Sequence, residues 1–163
     1  MEKTLSQIKD VDQKILSELD DKSLFEFCIT HKYGSTLCRD DLFWKKRFII
    51  KYGHSNKNAD RSWKNFYMNV IYYNDKYKGG ALYELSKKGI KNFDLINFYL
   101  VRGSDVNMGM LGAVTGGHKD LVEYYIERGA NDFINGYLNA QKIGRQDLMD
   151  LFRQKGLMIF RMI

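Results

Sequence analysis

A segment in the second half of the chain occurs three times at nearly constant spacing. The copies cover residues 94–103, 120–129 and 147–156, so they are offset by 26 and then by 27 residues. Each copy opens with an aspartate, continues with apolar residues at helical spacing and closes with a glycine. A single unit of this length cannot bury its apolar stripe, so the pattern predicts helical units that stack on one another.

Each repeated unit predicts a helical hairpin. The opening aspartate predicts an N-cap, because its carboxylate can accept hydrogen bonds from the free amides of the first helical turn. The closing glycine predicts a left-handed residue just after the helix. Gly117 and Gly144 recur 27 residues apart between two short helical stretches, and they predict the tight turn of each hairpin.

The second copy carries a family resemblance. Its residues 116–122 (Gly-Gly-His-Lys-Asp-Leu-Val) and 129–132 (Gly-Ala-Asn-Asp) resemble ankyrin repeats, in the short style encoded by large DNA viruses. The resemblance covers about residues 79–157 and implies a solenoid of three repeats that holds a target protein. Loops on a rigid scaffold commonly carry recognition. The target-binding residues that we predict between repeats are Asn107, Met108, Met110, Asn135 and Tyr137.

An apolar segment, residues 157–163, follows the third copy. In that copy Arg153 occupies the stripe position that holds Leu100 and Ile126 in the others, as expected of a terminal capping unit. An apolar segment of this kind should not remain in water. We expect it to fold back over the last unit, and docking on a partner is the alternative.

The first half of the chain predicts three amphipathic helices and a fourth, aromatic-rich one. Apolar residues recur at helical spacing over residues 5–29, interrupted at Asp20-Asp21-Lys22-Ser23, where Ser23 or Asp21 can cap the second helix. A third helix is expected to begin at Asp40-Asp41 and to end at Tyr52-Gly53. After a polar loop at 54–60, residues 61–73 predict the fourth helix, a connector between the two halves.

The order of motifs in this half resembles an F-box. The matching residues are Ile15-Leu16-Ser17, Leu19-Asp20-Asp21-Lys22-Ser23-Leu24, Phe27-Cys28 and Asp40-Asp41-Leu42-Phe43-Trp44-Lys45. The resemblance covers residues 7–53, although Gln7-Ile8 stands where the family usually has Leu-Pro. It implies docking on a Skp-type adaptor of a cullin–RING ubiquitin ligase through Ile8, Val11, Ile15, Leu16 and Leu24. By periodicity alone, the same residues could form the core of the module.

The net charge of +6 is concentrated in one segment. Residues 45–64 hold seven basic residues against one acidic residue. The basic residues are Lys45, Lys46, Arg47, Lys51, Lys57, Arg61 and Lys64. Interleaved with aromatic residues, they could hold nucleic acid or an acidic partner. The simpler interpretation is a solvated face, since no nucleic-acid-binding module accompanies them.

Several classes of protein are excluded or disfavoured. No apolar run is long enough for a transmembrane helix, and no secretory leader is visible at the N-terminus. Cys28 and Cys38 lack a CxxC spacing, which predicts two reduced thiols. We expect His118 to form a hydrogen bond within its own turn. No catalytic, metal-binding or cofactor-binding pattern is evident, so an enzyme is not expected.

Taken together, these patterns predict an all-α protein in three parts. Residues 1–53 would form the F-box-like module, 54–78 the basic and aromatic connector, and 79–163 the ankyrin-like repeats with their apolar tail. The expected function is a non-enzymatic adaptor of a ubiquitin ligase in the cytoplasm or nucleus of a host cell. The alternative is a structural or virion-associated viral protein that binds other viral proteins or nucleic acid.

Overall fold

The computed structural model describes residues 9–53, 57 and 61–160. For residues 157–160 it describes the backbone only. All regular structure in this part of the chain is α-helical, which confirms the predicted class. The helices are α1 (Lys9–Ser17), α2 (Asp21–Thr30), α3 (Lys32–Leu37), α4 (Asp41–Tyr52), α5 (Trp63–Tyr77), α6 (Ala81–Lys87), α7 (Phe93–Val101), α8 (Val106–Gly116), α9 (Lys119–Glu127), α10 (Phe133–Lys142) and α11 (Gln146–Phe160). None of the described helices is both long and apolar enough to cross a lipid bilayer.

Contacts divide the chain into two compact units, Met1–Asn69 and Val70–Ile163, so the boundary falls inside α5. The borders that the sequence predicts at residues 53 and 78 stay predictions. Ile8 and most of the predicted loop at 54–60 lie outside the described residues.

Short polar side chains determine where the helices of the first unit begin. The Asp20 carboxylate accepts from the Ser23 amide at 3.0 Å and from the Ser23 hydroxyl at 2.6 Å, so Asp20 caps α2. The prediction of Ser23 or Asp21 as the cap was therefore wrong. Asp40 caps α4 by accepting from the Leu42 amide, and Gly53 ends the helix at a φ of 77°, both as expected.

Aromatic side chains fill the core of the first unit. Trp44, Phe48 and Tyr67 are fully buried, and the Phe48 and Phe66 rings pack with centroids 5.1 Å apart. The Trp44 indole N–H donates to the Cys38 carbonyl oxygen at 2.8 Å, which satisfies its one polar group. Most of the aromatic residues beside the basic segment therefore serve the core.

Cys28 and Cys38 form a disulfide, which corrects the prediction of two reduced thiols. Their Cα atoms are 5.8 Å apart, a distance that suits this bond. The short helix α3 lies between the two cysteines and turns the chain so that they meet. Helix α3 was not expected from the sequence, and the spacing of the cysteines alone does not indicate that they pair.

The second unit is a series of three helical hairpins, α6–α7, α8–α9 and α10–α11. The first helices of successive hairpins pack on one another, α6 on α8 and α8 on α10. Gly117 and Gly144 adopt φ values of 73° and 69° at the hairpin turns, as predicted. Gly103 and Gly129 adopt the predicted left-handed conformation between hairpins. These glycines confirm a helical, repeat-like arrangement.

The last hairpin departs from the predicted pattern. Gly156 lies within α11 and lacks a positive φ, so the third copy does not end at its glycine. The helix continues to Phe160, and the backbone of residues 157–160 therefore extends α11 and does not fold back over the unit as predicted. Residues 161–163 lie outside the described part of the chain.

The repeated aspartates are not the N-caps that the sequence predicted. Asp94, Asp120 and Asp147 are each the second residue of their helix, because these helices begin earlier than expected. In the first turn they still complement the helix dipole. The capping aspartates are instead Asp105 and Asp132, also 27 residues apart, which accept from amides in the first turns of α8 and α10.

Candidate functional site

The predicted F-box-like face is split between surface and core. Val11 is 45% exposed and Ile15 is half-buried, and their spacing of four residues places them on one side of α1. Leu16 and Leu24 are buried in the core of the first unit. Among the described residues of the predicted face, only Val11 and Ile15 are thus accessible to a partner.

Polar contacts hold α1 in place. The buried Asp12 carboxylate accepts from the Tyr33 hydroxyl at 2.9 Å. Gln13 donates to the Asp40 carboxylate at 3.0 Å, and the Lys9 ammonium group lies 2.8 Å from the same carboxylate. The surface that carries Val11 is therefore preorganised.

Asp40 makes the stability of the first unit dependent on pH. The hydrogen bonds from Lys9, then from Gln13 and the Leu42 amide, lower the pKa of Asp40 to about 2. A lowered pKa in the folded state stabilises the fold above the ordinary aspartate pKa of about 4, and this contribution is lost as the pH falls towards 2.

We therefore expect the free energy of unfolding to decrease between about pH 5 and pH 2, and to decrease less in Asp40→Asn. Asparagine can still cap α4, so the variant removes the titrating group and keeps the cap. Urea unfolding followed by tryptophan fluorescence at each pH measures this, because Trp44 and Trp63 both lie in the first unit. The same decrease in both proteins would contradict the assignment.

Arg47 is a structural residue of the first unit, which removes it from the predicted basic surface. Its side chain is buried, with a relative exposure of 6%. The guanidinium donates to the backbone carbonyls of Ser17 and Leu19 at 2.9 and 2.6 Å and to the Asp21 carboxylate at 2.8 Å. It thereby satisfies carbonyl groups at and just beyond the end of α1.

Asp21 is the anionic partner of this buried arginine. Its carboxylate also accepts from the Tyr67 hydroxyl at 2.6 Å and from Lys51. Burial alone would raise the pKa of Asp21, but the hydrogen bonds from Lys51, Tyr67 and Arg47 outweigh it and lower the pKa. Burial and the bond to Asp21 raise the pKa of Tyr67. The cluster therefore holds two cations, Arg47 and Lys51, against the single carboxylate of Asp21.

The rest of the basic segment lies near aromatic rings and at the surface. The ammonium groups of Lys45 and Lys57 lie 5.8 and 4.8 Å from the Trp63 ring centroid, and that of Lys64 lies 5.8 Å from the Trp44 centroid. Lys46 and Arg61 are exposed. Trp63 is half-buried, and Trp44 is fully buried. This arrangement favours a solvated face over a platform on which bases could stack.

The predicted target-binding residues lie on helices α8 and α10, not in loops. Met110 is fully buried, so it cannot contact a target. The Asn107 side-chain oxygen accepts from the backbone amides of Asn131 and Asp132 at 2.8 and 3.0 Å, which links two hairpins. Asn135 donates to the Asp132 carboxylate at 2.8 Å. Met110 and Asn107 thus serve the stack, whereas Asn135 bonds within the first turn of its own helix and is exposed.

Besides Asn135, two more of the predicted residues remain accessible. Met108 is exposed and lines a cavity of about 320 Å³ together with Tyr83 and Ser104. Tyr137 is half-buried and accepts from the Arg153 guanidinium at 2.8 Å. Arg153 occupies the stripe position that is apolar in the other copies, and from there it contacts the neighbouring helix α10.

His118 links consecutive hairpins, which corrects its predicted bond within the turn. Its Nε2 atom lies 3.2 Å from the Lys87 carbonyl oxygen in the preceding hairpin. Arg145 occupies the equivalent place after the next turn glycine and donates to the Gly117 carbonyl at 2.7 Å. This role of Arg145 was not predicted from the sequence, although its position directly after Gly144 was the available signal.

Sequence analysis also missed several exposed apolar residues, because helical periodicity alone did not distinguish them from core positions. In the first unit Ile29 and Ile50 are largely exposed. In the last hairpin Ile134 and Leu138 border a cavity of about 290 Å³ whose lining includes Phe152.

The described part of the chain contains no group of three or more His, Cys, Asp or Glu side chains that could hold a metal ion. Comparison with protein-family models, with curated proteins and with solved structures finds no match to this chain.

Proposed function

We propose that this chain is a non-enzymatic adaptor that brings a target protein to a ubiquitin ligase. The first unit would bind a Skp-type adaptor of a cullin–RING ligase, and the hairpins of the second unit would hold the target. The observation that carries the proposal is the combination, in one chain, of a helical unit with outward apolar side chains on α1 and a unit of repeated hairpins. Holding both proteins raises the effective concentration of the target at the ligase.

The proposed contact with the ligase adaptor is made through α1. Val11 and Ile15 offer apolar surface on one side of the helix, and burial of such surface favours association. The bonds from Tyr33 to Asp12 and from Gln13 to Asp40 hold α1 before binding, which reduces the entropy lost on association.

Val11→Asp is expected to weaken binding of a purified Skp-type adaptor at least tenfold, because a carboxylate would have to be buried without a partner. The dissociation constant can be measured by isothermal titration calorimetry, with co-elution in size-exclusion chromatography as a second readout. Ile50→Asp is the matched control, since Ile50 is an exposed apolar residue of a different helix, α4.

The control variant is expected to bind like the wild type. If the wild-type chain does not bind the adaptor at micromolar concentration, the ligase proposal fails. If Ile50→Asp disrupts binding and Val11→Asp does not, α1 is not the contact.

The disulfide favours a second candidate, a structural or virion-associated protein. A disulfide persists in an oxidising environment and is rare in the reducing cytosol. Thiol trapping followed by mass spectrometry would measure whether Cys28 and Cys38 are bonded in cells and in purified virus particles. An oxidised protein abundant in particles, with no ligase adaptor in pull-downs, would favour this candidate over the first.

A further inference from the structure

Tyrosines and lysines form a cluster near the start of the second unit. We call Tyr72, Tyr73, Lys76, Tyr77 and Lys88 the tyrosine–lysine cluster. The first four lie on α5, and Lys88 directly follows α6. The Lys76 ammonium group donates to the Tyr72 hydroxyl at 2.9 Å, and the Lys88 ammonium group donates to the Tyr77 hydroxyl at 2.6 Å.

The cluster holds two cations close together at the surface. The Lys76 and Lys88 ammonium groups lie 5.5 and 5.1 Å from the centroid of the same ring, Tyr77. Their hydrogen bonds to tyrosine hydroxyls raise the pKa of both lysines, and lysine is protonated at neutral pH even at its ordinary pKa. Within the described residues, neither ammonium group forms an ion pair with a carboxylate.

Some other cations of the second unit have anionic partners. Lys91 pairs with Asp120 at 2.6 Å, and Arg145 pairs with Asp147 at 2.8 Å. Lys76 and Lys88 differ from these two residues, because their ammonium groups contact tyrosine side chains.

The charge along the chain agrees with this picture. Residues 70–91 hold five lysines against two acidic residues, whereas residues 92–163 hold eight basic and eight acidic residues. The whole positive excess of the second unit thus lies in the stretch that contains the cluster. Complementary charge at such a surface favours an anionic partner and accelerates its encounter.

Tyr72 adds an aromatic surface beside the two cations. Its side chain is 47% exposed and meets the Tyr73 ring edge-on, with centroids 5.2 Å apart. Exposed tyrosine is a common anchor in protein interfaces, because it offers a large apolar body at a small cost in conformational entropy.

The placement of the lysines argues for a protein partner over a nucleic acid. The Lys76 ammonium group lies 5.2 Å from the Tyr72 centroid, and both ammonium groups lie beside the Tyr77 ring. Base stacking requires open ring faces, and here lysine side chains lie beside the rings. The cluster therefore presents mainly positive charge and the exposed part of Tyr72.

From these observations we infer that the tyrosine–lysine cluster binds an acidic segment of a partner protein, with carboxylates on Lys76 and Lys88 and an apolar side chain against Tyr72. The inference rests on the proposed function, in which the second unit holds a target, and it names the chemistry of that target. It also places the contact with the target at the beginning of the second unit, at residues other than Met108 and Tyr137.

Fluorescence anisotropy with the full chain tests the inference. The probe is a fluorescein-labelled peptide that alternates glutamate with leucine and serine. The double variant Lys76→Gln, Lys88→Gln is expected to weaken binding about tenfold, since each exposed pair contributes a few-fold in affinity. Tyr72→Ala is expected to weaken binding about threefold or more at every salt concentration.

Lys119→Gln, Lys142→Gln is the matched control, because it removes the same charge from exposed lysines of the same unit. Its affinity is expected to equal that of the wild type. Equal losses in the two double variants would overturn the inference, because net charge alone would then explain binding. Tighter binding of a labelled oligothymidylate than of the peptide, or no binding of the peptide, would also overturn it.

A failure of the inference about the acidic segment can be distinguished from a failure of the proposed adaptor function. The cluster variants are expected to leave binding of the ligase adaptor unchanged, since the proposed adaptor contact uses Val11 on α1. A chain that binds the ligase adaptor but not the acidic peptide would refute only the inference about the target. Far-UV circular dichroism of each variant checks that the helices are retained.

Discussion

Arg47→Met is expected to lower the free energy of unfolding of the first unit by about 3–4 kcal/mol, since two backbone carbonyls and a carboxylate would each lose a donor inside the unit. Asp21 would keep Lys51 and Tyr67 as partners, but the carbonyls of Ser17 and Leu19 would lose their donor. A buried acceptor left without a donor costs about 1–3 kcal/mol. Methionine replaces much of the apolar volume, so the loss would mainly report the polar contacts.

Urea unfolding monitored by tryptophan fluorescence measures this change, because both tryptophans belong to the first unit. Lys46→Met is the matched control at the adjacent exposed position, and its effect should stay within about 0.5 kcal/mol. Arg47→Lys should also destabilise the unit, since an ammonium group lacks the planar fork that reaches several acceptors at once. A loss below about 1 kcal/mol in Arg47→Met would contradict the structural role of this residue.

Gly112→Ala is expected to destabilise the second unit by about 2–3 kcal/mol. A Cβ atom at this position of α8 would lie 2.3 Å from the Tyr83 carbonyl oxygen on α6. The opposing atom belongs to the backbone, so no side-chain rotation can relieve the overlap and the two helices must move apart. This cost exceeds the gain of about 1 kcal/mol that alanine normally brings to a helix interior.

Gly156→Ala is the matched control for this substitution. Gly156 is also helical. Apart from its chain neighbours and its own helix backbone, no heavy atom of the described residues lies within 4 Å of the added Cβ. The control should therefore be neutral or should stabilise the protein by up to about 1 kcal/mol. Thermal unfolding followed by far-UV circular dichroism measures both variants, and amide hydrogen exchange in α6 and α8 localises the effect. Similar stability changes of the two variants would contradict the close contact.

The sequence was sufficient to predict features that depend on a few neighbouring residues. Helix α4 begins at its Asp40 cap and ends at Gly53 as expected, because capping and left-handed glycine act within one helical turn. The turns at Gly117 and Gly144 were predicted for the same reason. The repeat spacing then indicated that the hairpins stack, since each needs a neighbour to cover its apolar stripe.

The candidate sites were less predictable, because exposure depends on which other element covers a residue. Helical periodicity did not show that Leu16 and Leu24 are buried while Val11 is exposed. Met110 was expected at a binding surface, but the packing of neighbouring helices buries it. The repeated aspartates were assigned to caps because aspartate is common there, yet an asparagine and a histidine two residues earlier occupy the N-cap positions of α7 and α9.

The helical class, the repeating hairpins and the glycine turns were thus predictable from the amino-acid order, because they follow from interactions over a few residues and from apolar periodicity. The packing of separate helices places Arg47 inside the first unit, brings Cys28 to Cys38, and sets Lys76 and Lys88 beside one tyrosine ring. Each of these contacts joins groups from separate parts of the chain. The spacing of residues along one helix does not predict which side chains from other helices they will contact.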